Sequence, residues 1–161
     1  MTRPGINTIC TALKTLLQDA DDLEFVPDHQ IQEWDKGIDF DSGEIIVAPP
    51  GILIAYDAGS YTPANHDNSA YKIDERFTLI AVAQDLSGFA GSQAGAYAII
   101  EAMKAVIVSN RRLTIDAATN KRVSLVLLGT APFENLFYQN GCAAIGLQIQ
   151  ATGSTWDYAD A

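Results

Sequence analysis

Gly88, Gly91 and Gly95 stand in the segment "LSGFAGSQAGAYAIIEAMKAVI" (86–107), directly after a strongly apolar run. A glycine-rich turn between a strand and a helix is where backbone N–H groups can cradle a phosphate. Dinucleotide binding needs a tight GxGxxG turn with an acid roughly 20 residues farther on. Here the spacing is GxxGxxxG, so the close first pair is absent. A P-loop needs GK[ST] after its glycines, and no such triplet follows. The glycines are read as architectural: Gly88 and Gly91 turn the chain out of a strand, and Gly95 lets a helix approach a sheet or a neighbouring subunit.

The other chemistry-bearing residues do not converge. His29 and His66 each adjoin an aspartate in sequence, Asp28 and Asp67. Adjacency alone does not orient an imidazole for a catalytic relay, and no HExxH or comparable ligand spacing is present. In an extended strand Asp74 and Glu75 point to opposite faces, with Arg76 on the Asp74 side, so they form no acid pair. Asp19, Asp21, Asp22 and Glu24 read as a solvent-facing acidic helix exit. Cys10 and Cys142 are far apart and belong to no CxxC pair, which predicts buried free thiols. No catalytic, cofactor-binding or metal-binding residue is assigned, and the chain is expected not to be an enzyme.

Contact residues are the better candidates. Trp34, Tyr61, Trp156 and Tyr158 fall in stretches that read as polar loops or tail, where aromatics can anchor an interface. Charge is also uneven. Residues 1–44 hold ten acids against Arg3, Lys14 and Lys36, whereas "SNRRLTIDAATNKR" holds Arg111, Arg112, Lys121 and Arg122 with Asp116 as its only acid. Oppositely charged regions are either solvated loops or complementary surfaces in an assembly. The candidate subunit or partner interface is therefore Trp34, Tyr61, Arg111, Arg112, Arg122 and Trp156.

These residues must be positioned by a mixed set of elements. "INTICTALKTLLQD" predicts a helix on Ile6, Ile9, Leu13, Leu16 and Leu17, and "LEFVPD" a short strand ended by Pro27. Residues 28–43 and 58–70 read as long polar loops. "ILIAYDA", "YKIDERFTLIAVAQD", "KRVSLVLLGT" and "GCAAIGLQIQATG" read as strands, and Gln93 to about Val108 as a second helix. The third of these segments is followed by "ENLFYQNG", which reads as a link between the last two strands and not as an engineered cleavage site. "YKIDERFTLIAVAQD" alternates at its start and is apolar on both faces later, as a central strand or a subunit contact would be. Without repeated strand–helix alternation, the fold class is α+β: a mainly antiparallel β-sheet flanked by two principal α-helices, in one domain spanning 1–161.

Composition sets the outer limits. The chain has 161 residues, 48% of them hydrophobic, enough for one domain with a sizeable core. No apolar run approaches the roughly 20 residues that span a bilayer, and the N-terminal stretch lacks a signal-peptide core, so a soluble cytoplasmic protein is expected. A formal charge of −10 argues against a general DNA-binding surface.

The order of these elements, together with "INTICTALKTLL", "YKIDERFTLIAVAQ", "GSQAGAYAIIEAMKAVI" and "NGCAAIGLQIQATG", resembles the Mu-like bacteriophage tail-terminator family. The likeness covers most of the chain and carries no catalytic motif. It implies a structural virion protein, assembled in the bacterial host cytoplasm, that caps the tail tube, stops its polymerisation and helps join tail to head. It implies a homo-oligomer, a hexameric ring, with the tail tube protein and sheath or neck proteins as partners. Cofactors and membranes are not involved, and DNA would pass through the ring without specific binding. An acidic lumen would repel its phosphates. The alternatives are another head–tail connector or neck protein, a small enzyme with an unrecognised site, or a monomeric binding module.

Overall fold

The computed structural model describes residues 6–33, 38–39, 44–45, 48–64, 66–67, 70–85, 88–116, 121–132 and 142–157. The first helix, α1 (Ile6–Gln18), buries Ile9, Cys10, Leu13 and Leu17, a stripe at helical spacing, while Ile6 at its start is half exposed. The second, α2 (Phe89–Ser109), buries Ala96, Ile99, Ile100, Met103, Val106 and Ile107. It begins one turn earlier than the Gln93 predicted, because Gly88 supplies the turn that starts it.

The principal sheet has six strands in the order β1-β4-β5-β8-β7-β6. They are β1 (Ile31–Glu33), β4 (Gly51–Pro63), β5 (Ala70–Gln84), β6 (Arg112–Asp116), β7 (Lys121–Pro132) and β8 (Cys142–Asp157). Among the described residues only β1 runs parallel to its neighbour, and the other pairs of this sheet are antiparallel. A separate two-stranded hairpin joins β2 (Ile38–Asp39) to β3 (Glu44–Ile45). Helix α1 touches both β1 and β6, the two opposite edges, so the sheet curls around it. Helix α2 crosses β5, β8 and β7 on the same side. This is the predicted α+β class with two principal helices.

Strand β5 lies between β4 and β8 and separates two apolar clusters. Phe77, Leu79, Ala81 and Ala83 join the helices in the main core, whereas Ile80 and Val82 pack with Leu53, Cys142 and Ala144 on the other face. The apolar run on both faces is thus accounted for by a central sheet position.

Four stretches differ from the sequence reading. "LEFVPD" is not a strand. Leu23 and Val26 are buried three residues apart, the Val26 N–H donates to the Leu23 carbonyl at 2.9 Å, and short 3₁₀ turns form at Asp21–Leu23 and Asp28–Gln30. The loop expected at 28–43 contains β1 and β2, since Ile31 at 0% exposure is apolar enough to extend the sheet as a short parallel edge. The loop expected at 58–70 is mostly the hairpin of β4 and β5, where backbone pairing of Ala58–Pro63 with Tyr71–Arg76 outweighs a polar composition. The basic stretch 111–122 contains β6, whose Leu113 is buried between exposed Arg112 and Thr114. Residues 134–141 lie outside the described residues.

Candidate functional site

The joint between β5 and α2 is built on the three glycines and Ser92. Gly88 adopts φ +135°, open only to a residue without a Cβ. Its N–H donates to the Asp85 carbonyl at 3.2 Å. Gly91 faces the Asp85 carboxylate with no room for a side chain, and a Cβ on Gly95 would lie 3.1 Å from that of Ala83. Ser92 is fully buried, and its Oγ accepts the Asp85 N–H at 2.7 Å. The serine thus satisfies a polar group that the turn would otherwise orphan. The described hydrogen bonds of the joint, from the Asp85 and Gly88 N–H groups and the Ser92 hydroxyl, all serve to turn the chain from strand into helix.

The most unusual polar group is Glu75, only 2% exposed. Tyr56 donates to its Oε2 at 2.7 Å and Tyr61 to its Oε1 at 2.5 Å. Gly59, its register partner on β4, leaves the space that the carboxylate occupies. Burial of the Tyr56 hydroxyl, reinforced by the Glu75 carboxylate, holds its pKa well above that of a free tyrosine. Two phenol donors satisfy a buried carboxylate; among the described residues no third group completes an acid–base pair, and Asp74 points to the opposite face. There Asp74 accepts from Thr152 at 2.8 Å and from Gln150 at 3.3 Å. Sequence reading set Asp74 and Glu75 on opposite faces but missed this network.

The candidate interface residues scatter. Tyr61 lies in β4, half exposed, with its hydroxyl turned to Glu75. Arg111 follows α2, Arg112 opens β6 and Arg122 lies in β7, all exposed. The β6–β7 register pairs Arg112 with Ser124 and Thr114 with Arg122, which brings Arg112 and Arg122 diagonally together on the face away from α2. Trp156 lies in β8, where its backbone pairs with Tyr71. Trp34 lies outside the described residues. Asp19, Asp21, Asp22 and Glu24 are exposed beyond α1, as expected. His29 and His66 are exposed on separate turns, and among the described residues no group of three His, Cys, Asp or Glu side chains could hold a metal. Cys10 and Cys142 are buried free thiols, and burial raises the Cys142 pKa. No helix among the described residues is long and apolar enough to cross a membrane.

An open groove of about 720 Å³ runs between α1 and the free edge of β6, lined by Asn7, Thr8, Thr11, Thr15 and residues 112–115. Ala12, Leu16, Leu113 and Ile115 give it an apolar lining, and its polar side chains are neutral hydroxyls and amides apart from Asp19 and Arg112. They include no nucleophile–base pair.

Neither a family model nor a curated protein matches the chain. Among solved structures the fold is similar to that of a chain described as "Virion of native gene transfer agent (GTA) particle", with a TM-score of 0.55 and 15% sequence identity, covering 90% of this chain and 93% of that one.

Proposed function

We propose that this chain is a structural protein of a phage, prophage or phage-like particle, and within that class a tail terminator. It would cap the tail tube, stop its polymerisation and help join the tail to the head. The observation that carries the reading is the likeness over nearly the full length of both chains to a component of a virion particle. A fold shared over 90% of this chain and 93% of that one favours a common architectural role over enzyme chemistry. The described surface agrees, since its buried polar groups are satisfied within the sheet and its groove holds no reactive pair.

In this reading the chain is a ring-forming homo-oligomer, assembled in the host cytoplasm and resident in the virion tail, with the tail tube protein on one face and neck or sheath proteins on the other. A closed ring leaves no free circumferential interface while its two faces bind different partners. No cofactor is required. The test is to image particles made without this chain. Tails of irregular or excessive length are expected; tails of normal length that lack heads would assign it instead to the connector or neck.

A further inference from the structure

We propose that copies of this chain associate head to tail: the outward face of α2 and the adjoining Asp21–Phe25 turn of one copy seat on the outer face of the β6–β7 pair of the next. The proposal rests on the ring-forming reading above and names the surfaces that would build the ring.

Helix α2 lacks the polar exterior of an ordinary surface helix. Ala94, Tyr97, Ala98, Ala105 and Val108 are all exposed, Tyr97 and Val108 at 48% each. The charge among them, Glu101, is held by Lys104 at 2.9 Å. An apolar helix face turned to solvent marks a surface that binds something. The 3₁₀ turn Asp21–Leu23 packs on α2, and two residues beyond it Phe25 is 51% exposed. Asp21, Asp22 and Glu24 surround that phenyl ring in sequence and are exposed too. The result is an apolar patch with an acidic rim.

A complementary patch lies on the other side of the sheet. Strand β6 pairs with β7 as far as Ser124, and the Leu125 N–H donates to the Arg111 carbonyl at 2.7 Å, so among the described residues β7 beyond Leu125 is an open edge. Val126 is exposed there at 49% and Leu128 at 46%. Arg122 shares the outer face with Val126 by the period of the strand, and Arg112 stands diagonal to it. Among the described residues neither arginine has an ion-pair partner. This is an apolar patch with a basic rim, on a chain whose net charge of −10 otherwise makes copies repel. Val123 and Leu125 on β7 face α2 in the core, so the two patches point away from each other and cannot meet within one chain. Each fits the other on a second copy, and that interface is heterologous, which builds a ring where the rotation between successive copies closes.

The full chain would be studied by sedimentation velocity and native mass measurement at low and high salt, as wild type and as two charge-reversed forms, R112E/R122E and D21R/D22R. Wild type is expected to form a species larger than a dimer. Each variant alone should associate more weakly by about tenfold or more. Their equal mixture should recover wild-type assembly, because each reversed rim then meets a reversed partner, and the recovery certifies that both fold. Tyr97→Asp should weaken association at all salt concentrations, with no rescue on mixing. A wild-type monomer, a strict dimer, unimpaired single variants or a mixture that does not recover would each overturn the proposal. An oligomer indifferent to these substitutions would remove this interface while leaving the ring intact. Normal tail lengths in particles lacking the chain would remove the terminator role while leaving the self-association intact.

Discussion

Gly59 and Glu75 face each other across the β4–β5 pair, and a methyl group on Gly59 would take the space of the Glu75 carboxylate. The carboxylate cannot swing away cheaply, because two tyrosines hold its two oxygens and the group is buried. Gly59→Ala is therefore expected to destabilise the fold by about 1–3 kcal/mol, the usual range for overpacking. Urea unfolding should show a lower midpoint at unchanged slope. A midpoint equal to wild type would mean that the carboxylate is not pinned.

Tyr56 makes the fold sensitive to alkali. Its pKa is raised in the folded state by burial of the hydroxyl and by Glu75. Below pH about 10 the phenol is protonated in both folded and unfolded chains, and its contribution is fully present. Above that pH the unfolded chain releases the proton first and binds fewer protons than the folded chain, so stability falls until the folded-state pKa is passed. Tyr56→Phe should reduce this alkaline loss, at a cost near neutrality of about 1–3 kcal/mol from the lost hydrogen bond to a charged group. Unfolding midpoints measured across pH 8 to 11 check both signs, and parallel alkaline limbs in the two proteins would refute the assignment.

The glycines of the strand–helix joint should respond unequally. Gly88→Ala meets open space but places a side chain at φ +135°, an essentially glycine-only region that costs about 1–3 kcal/mol. Gly95→Ala gains about 1 kcal/mol of helix propensity, set against a close approach to Ala83. It is expected to be nearly neutral, whereas Gly95→Val should lose stability. Thermal unfolding of the three variants tests the order, and a neutral Gly88→Ala would contradict the backbone assignment.

Both thiols should be silent in the folded protein. Cys10 is 9% and Cys142 6% exposed, in separate clusters on opposite faces of the sheet. Burial also disfavours the reactive thiolate of Cys142. Labelling with a thiol reagent at neutral pH is expected to be slow without denaturant and to reach two groups per chain on unfolding. Rapid modification of either cysteine in the native state would count against this packing.

The elements most legible in the sequence were those with a long hydrophobic period. The buried stripe of α1, the broad apolar face of α2, and the runs of β5 and β8 each carry enough apolar positions to declare their period. The glycine ladder could be read as a joint because its spacing fails the backbone geometry of phosphate binding. The outward apolar face of α2 was not read from the sequence, because the exposure of Tyr97 and Val108 is decided by where the helix packs on the sheet. Short or polar strands were not legible. The three residues of β1 and the five of β6 carry too little period, and their stability comes from pairing with β4 and β7.

By itself, then, the sequence determined an α+β chain with two helices, a long strand apolar on both faces, and acidic and basic regions far apart in the chain. Tertiary structure alone decided what meets what. Tyr56 and Tyr61 are five residues apart, so strict strand alternation would send them to opposite faces. The bulge at Asp57 between Tyr56 and Ala58 shifts the register by one, and both hydroxyls reach Glu75. The same holds for Arg112 and Arg122, which become neighbours only through the β6–β7 register. A bulge and a cross-strand register are set by backbone hydrogen bonding between distant segments, and local periodicity carries no record of either.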